Sequence, residues 1–153
     1  MSAFGIDLEA GAVRIYGPGL SKHDALDILV DAVADSGAVM DREAFRRAVR
    51  ERESVMSTGI GYGVAIPHVR IDPVRRPYIG VGISKDGIDY DTLDNQPVHV
   101  VVLFAMPSGS QREYLRLLAQ VMTALKVPGF REALTACSTP QEVVDILNAP
   151  GTN

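Results

Sequence analysis

The run Val98-His99-Val100-Val101-Val102-Leu103-Phe104-Ala105 constrains this chain more than any other stretch. It is nearly all apolar and rich in β-branched residues, so it reads as a central strand with no side left to face water. Such a strand needs a packing layer on each face. Its apolar core, Val100 to Met106, is far shorter than the roughly 20 residues of a membrane-spanning helix, so the covering layers must come from the chain itself. The expected fold is therefore α/β, a single layered domain with a mixed central β-sheet flanked by helices. At 153 residues the chain matches the usual size of one domain, taken as 1–153, with 148–153 expected as a flexible tail.

The flanking elements carry their own signals. Val13-Arg14-Ile15-Tyr16 alternates like a short strand before the turn Gly17-Pro18-Gly19. Ser21 with Asp24 forms a capping-box pattern, and Ala25, Leu26, Leu29 and Val33 follow at helical spacing until Ser36-Gly37. Asp41 caps a second helix with Phe45, Ala48 and Val49 on its apolar face and Arg42, Arg46, Arg47, Arg50 and Arg52 crowding the other, a face that could dock an acidic partner. Val64-Ala65-Ile66 and Tyr78 to Ile83 read as further strands. Leu115, Leu118, Met122 and Leu125 predict a helix ending before Pro128-Gly129, and Phe130 to Ala136 a shorter one. Thr139-Pro140-Gln141-Glu142 combines an N-cap, a first-turn proline and a capping glutamate ahead of Val143, Val144, Ile146 and Leu147.

Composition narrows the function. Fifteen Lys and Arg against nineteen Asp and Glu leave a net charge of -4, which argues against nucleic acid or an anionic membrane as partner. The single cysteine, Cys137, allows no intrachain disulfide and no paired-cysteine metal or redox site; it is expected as a buried inert thiol. His23 and His99 form no spaced ligand cluster with His68, so no metal is expected. With no basic-then-apolar leader at the start and no span for membrane insertion, the expected location is cytoplasmic.

Glu53 to Arg70, ESVMSTGIGYGVAIPHVR, is the stretch that carries chemistry. Gly59, Gly61 and Gly63 are spaced GxGxG, but they precede a strand where a dinucleotide fingerprint would follow one, so a Rossmann site is disfavoured and a flexible glycine loop is the simpler reading. Val64-Ala65-Ile66 then runs into Pro67-His68, which puts an imidazole at the C-terminal edge of a buried strand, where sites in open α/β sheets gather. Proline fixes φ and removes a donor, which helps hold the histidine in one orientation.

These residues resemble the phosphorylation-site signature of the type-2 IIA proteins of the bacterial phosphotransferase system, the fructose, mannitol and nitrogen-regulatory group. The pattern is met by Glu53, Ile60, Gly61, Val64, Ala65, Ile66, Pro67 and His68, with Val69 standing where the family usually has a smaller residue. Ser21-Lys22, Arg52-Glu53, Ser57 to Gly61, Gly87-Ile88-Asp89-Tyr90 and the strand before Pro107 are similar to family landmarks in the same order. One departure stands out. Where the family usually has Glu-His-Leu, this chain has Glu113-Tyr114-Leu115, so Tyr114 replaces the second histidine.

The resemblance implies a phosphocarrier that accepts a phosphoryl group on His68 from a phosphohistidine carrier protein of the HPr or NPr type. It would pass the group to a cysteine of a IIB protein or use it to regulate target proteins. With no IIB or IIC segment in the sequence, regulation is the favoured branch, a homo-oligomer is admissible, and no organic cofactor is implied. Neutral imidazole suits the role as nucleophile. Arg52 is expected at the phosphoryl group, the competing reading being one more solvated arginine of its helix; Ser57, Thr58, Gly59 and Gly61 are the expected phosphate-binding turn. Tyr114 is expected to face His68 and offer a phenol hydrogen bond. The competing reading is a non-catalytic regulatory binding domain of the same fold, favoured by Tyr114.

Overall fold

A computed structural model describes residues 9–55 and 57–148 of the chain. The elements, in order, are β1 (Val13–Ile15), α1 (Lys22–Asp35), α2 (Arg42–Val55), β2 (Gly59–Gly61), β3 (Val64–Ala65), β4 (His68–Arg70), β5 (Tyr78–Ile88), β6 (Val98–Met106), α3 (Gln111–Leu125), α4 (Pro128–Thr135) and α5 (Pro140–Asn148). The expected tail falls almost wholly outside the described residues.

The strands form one mixed sheet in the order β1-β5-β6-β3-β2, with β4 also on β6. β6 is the apolar run that set the fold, and it is central. It pairs antiparallel with β5 and parallel with both β3 and β4. Because side chains alternate across a strand, Val101, Leu103 and Ala105 enter the core under α1 and α2, while Val100, Val102, Phe104 and Met106 enter the core under α3, α4 and α5. Each fully buried residue of this size stabilises the fold by about 1.5–3 kcal/mol relative to leaving it in water.

The helix caps form as the sequence predicts. The Ser21 hydroxyl accepts the Asp24 N–H at 3.1 Å, and Asp41 accepts the Ala44 N–H at 3.0 Å. Thr139 and Glu142 bond reciprocally, Thr139 accepting the Glu142 N–H at 3.2 Å and donating its own proton to the carboxylate at 3.1 Å. Cys137 is buried, its thiol donating to Ala133 and pushed up in pKa by burial.

Several expectations are corrected. Three of the five α2 arginines carry intramolecular ion pairs: Arg42 with Asp31 and Asp35, Arg46 with Asp27 and Asp31, and Arg50 with Asp27. These carboxylates sit four residues apart along α1, so two antiparallel helices are laced by a ladder of opposite charge. In α3 the buried stripe is Tyr114, Leu117, Val121 and Leu125, and Leu115 is exposed. Two neighbouring stripes share the same helical spacing, and packing selected the one containing the tyrosine. Pro128 begins α4 as its first-turn residue instead of only ending α3. β5 runs on to Ile88 past an irregularity in its pairing with β6.

Candidate active site

The glycine stretch is not a free loop. β2 and β3 pair antiparallel, with Gly59 opposite Ala65 and Gly61 opposite Val64, and Tyr62-Gly63 make the turn with positive φ at both residues (60° and 72°). This is the conformation of a tight hairpin turn that matches strand twist.

β3 and β4 hold one register on β6: Val64 opposes Val100, Ala65 opposes Val101, and His68 opposes Phe104. They are two pieces of one strand, broken at Ile66-Pro67. The Pro67 carbonyl still accepts the Phe104 N–H at 2.9 Å, and the Ile66 N–H turns to the Thr58 carbonyl at 3.0 Å. His68 therefore does not stand at a strand's C-terminal edge. It opens the second piece, with Val69 in the core under α1 and α2 and the imidazole on the opposite face, toward α3.

The ring is fixed by its own backbone. His68 Nδ1 lies 3.0 Å from the Ile66 carbonyl oxygen. A carbonyl only accepts, so Nδ1 carries the proton and the neutral ring keeps its lone pair on Nε2. Burial pushes the His68 pKa below its ordinary value, and the charges of Arg52 and Arg70 push the same way, against the Ile66 hydrogen bond and the Glu53 charge. The neutral, nucleophilic form is favoured at neutral pH.

Tyr114 does face His68, but ring to ring. The centroids are 5.2 Å apart and the planes tilted by 33°, and Tyr114 meets Phe104 edge-on at 6.1 Å. The phenol makes no hydrogen bond to His68, and burial raises its pKa, so it stays protonated. Arg52, in the last turn of α2, lies near enough for its charge to act on both His68 and Tyr114.

The predicted phosphate-binding turn divides. Thr58 gives both its N–H and its hydroxyl to the Glu53 carboxylate, at 2.9 and 2.7 Å, and the Gly59 N–H goes to the Ser57 hydroxyl at 3.2 Å. These donors hold the turn itself. The pairing that joins Thr58 to Ile66 carries Ser57 toward Pro67 and the histidine. Gly61, four residues up the strand from His68 at its partner Val64, is on the order of 13 Å away.

Behind the turn is a buried polar cluster the sequence did not reveal. Glu53 is 8% exposed, pairs with Lys22 at 2.9 Å, and Thr58 Oγ1 lies 3.1 Å from the Tyr90 hydroxyl. The Lys22 ammonium also sits over the Tyr90 ring, 4.5 Å from its centroid. Arg70 was missed as well, although its place two residues after His68 on a strand puts both on one face. Among the described residues, no group of three or more His, Cys, Asp or Glu could hold a metal ion, and no helix is long and apolar enough to cross a membrane.

The comparisons with known proteins give the class, a component of a phosphotransferase system. Residues 8–149 match the family "Phosphoenolpyruvate-dependent sugar phosphotransferase system, EIIA 2". The chain belongs to this family. It is 33% identical over 135 residues to a PTS system fructose-specific EIIA component of Haloferax volcanii, covering 88% of each. It is 31% identical over 145 residues to a nitrogen regulatory protein of Pseudomonas aeruginosa, covering 92% of this chain and 94% of that one. With the fructose-specific EIIABC component of Bacillus subtilis it shares 38% over 127 residues, 83% of this chain but only 20% of that much longer protein. In fold it is similar to the nitrogen regulatory protein IIA-Ntr of Neisseria meningitidis, with a TM-score of 0.83, 23% identity and coverage of 92% and 96%. It is also similar to a chain in the complex of IIA mannitol with phosphorylated IIB mannitol from Escherichia coli, with a TM-score of 0.77, 18% identity and coverage of 92% and 96%.

Proposed function

We propose that this protein is a phosphocarrier whose acceptor is Nε2 of His68. The observation that carries the reading is the Nδ1 contact with the Ile66 carbonyl at 3.0 Å, which leaves Nε2 as the nucleophile of a neutral imidazole. In the proposed step the Nε2 lone pair attacks phosphorus of a phosphohistidine on a carrier protein of the HPr or NPr type. The Nε2–P bond forms as the donor's N–P bond breaks, and the electron pair returns to the donor's ring. The Nδ1 proton stays on the Ile66 hydrogen bond throughout. Arg52 is assigned to the transferred group, and Ser57 is the turn residue assigned to the phosphoryl side; Thr58, Gly59 and Gly61 shape the hairpin behind it.

The onward recipient is a cysteine of a IIB protein or a regulatory target. A regulatory role is supported by the likeness to the Pseudomonas nitrogen regulatory protein along nearly its whole length. Incubation with a phosphorylated carrier protein should put an acid-labile phosphate on the wild-type chain and none on His68→Ala. Equal labelling of both would refute the assignment.

A further inference from the structure

β4 places Arg70 on the same sheet face as His68, since Val69 between them turns into the opposite core. The Arg70 guanidinium lies over the Tyr114 ring, 5.4 Å from its centroid, and that ring is itself 5.2 Å from the His68 ring. One aromatic side chain thus touches both the imidazole and a cation. Arg42, Arg46 and Arg50 have their charges met by aspartates, whereas among the described residues Arg70 makes no ion pair. Its charge is available to the face that His68 opens onto.

We propose that Arg70 is a second phosphoryl-binding residue, which donates guanidinium hydrogen bonds to the oxygens of a phosphoryl group on His68 while the Tyr114 ring serves as its platform. The proposal rests on His68 being the acceptor. A flexible, exposed arginine loses much entropy when it is fixed on a ligand, and stacking on an aromatic face removes part of that loss beforehand. Arg52 approaches from the end of α2 and Arg70 from the sheet, so the two guanidinium groups come from separate elements. Before transfer their charges favour the neutral imidazole; after transfer they face a group carrying up to two negative charges. The ring that stands in the place of a second histidine is then a seat for a permanent cation, and the site needs no titrating partner.

Phosphoramidate tests this without a protein surface, so that a docking defect cannot imitate the result. Nε2 attacks its phosphorus, the P–N bond breaks, and ammonia leaves with the bonding pair. Arg70→Gln should lower the equilibrium constant for phospho-His68 about tenfold, the effect of losing a charged hydrogen bond, and Arg70→Lys should restore only part of it. Read in the peptide that holds residue 68, resolved from the exposed His23 and from His99, His68→Ala should take no label. If wild type and Arg70→Gln reach the same labelled fraction while His68→Ala stays unlabelled, the Arg70 assignment is wrong and the acceptor stands. If His68→Ala labels like the wild type, or the wild type does not label under conditions that phosphorylate free imidazole, both fall.

Discussion

Glu53 grips Thr58 with both carboxylate oxygens, one on the backbone N–H at 2.9 Å and the other on the hydroxyl at 2.7 Å. The Thr58 carbonyl in turn accepts the Ile66 N–H, and the Ile66 carbonyl accepts the His68 ring proton. A buried acid at the end of α2 is therefore connected to the imidazole through three consecutive hydrogen-bonded links.

Glu53→Gln tests that connection. It removes charge from a carboxylate that serves Thr58 and Lys22 together, and Lys22 is left without its counter-ion. The loss expected is about 2 kcal/mol of unfolding free energy, measured by urea titration. Arg50→Ala, which breaks one exposed rung of the α1–α2 ladder, should cost under about 1 kcal/mol in the same assay.

Protonation of His68 should weaken the fold in a defined direction. Its folded pKa lies below the ordinary 6.5, so between the two values the unfolded chain binds more protons and stability rises with pH. The contribution is complete above pH 6.5 and is lost as pH falls through that value toward the folded pKa. An NMR titration of the ring should find the midpoint below 6.5 and should find it moved upward in Arg70→Gln and in Arg52→Gln. A midpoint at or above 6.5 would contradict the electrostatic picture.

Tyr114 meets His68 through its ring, so its hydroxyl should be dispensable. Tyr114→Phe keeps the packing on His68 and Phe104 and should label within about twofold of the wild type, because no hydroxyl bond to the imidazole is lost. Tyr114→Ala removes a side chain only 7% exposed and should cost about 3 kcal/mol in thermal unfolding. A large labelling defect in Tyr114→Phe would assign the work to the phenol.

The charge ladder gives a test by exchange. Arg46 reaches both Asp27 and Asp31, and its side chain is the most buried of the three ladder arginines. Arg46→Asp should be strongly destabilising, by about 2 kcal/mol or more, and Asp31→Arg in the same chain should recover part of the loss. No recovery in the double variant would mean the two charges do not act on each other.

Much of this was legible from residues alone because it is local. Caps, alternation and the apolar run at Val98 to Ala105 each act within a few positions, and each formed where the pattern put it. The signature around His68 fixed the acceptor candidate for the same reason. What escaped depends on partners distant in the chain. Nothing near Glu53 announces Lys22 or Tyr90, and nothing within α3 says which of two overlapping stripes meets the sheet. Gly59 and Gly61 looked like a loop because glycine is a poor strand former; only pairing with Val64 and Ala65 makes them a strand. Arg70 was within reach, since a period of two from His68 already sets both on one side.

The broken strand that carries His68 has one more consequence. Its register on β6 is the same before and after Pro67, so the imidazole is mounted on a strand paired to the centre of the sheet. A side chain held there cannot swing from one client to the next. On the proposed phosphocarrier role, donor and recipient would have to come to the same doorway in turn, each shutting out the other while docked. The order of events is then governed by the competition of two surfaces for a single stationary atom, and a recipient that does not let go would silence the exchange as completely as the loss of the histidine.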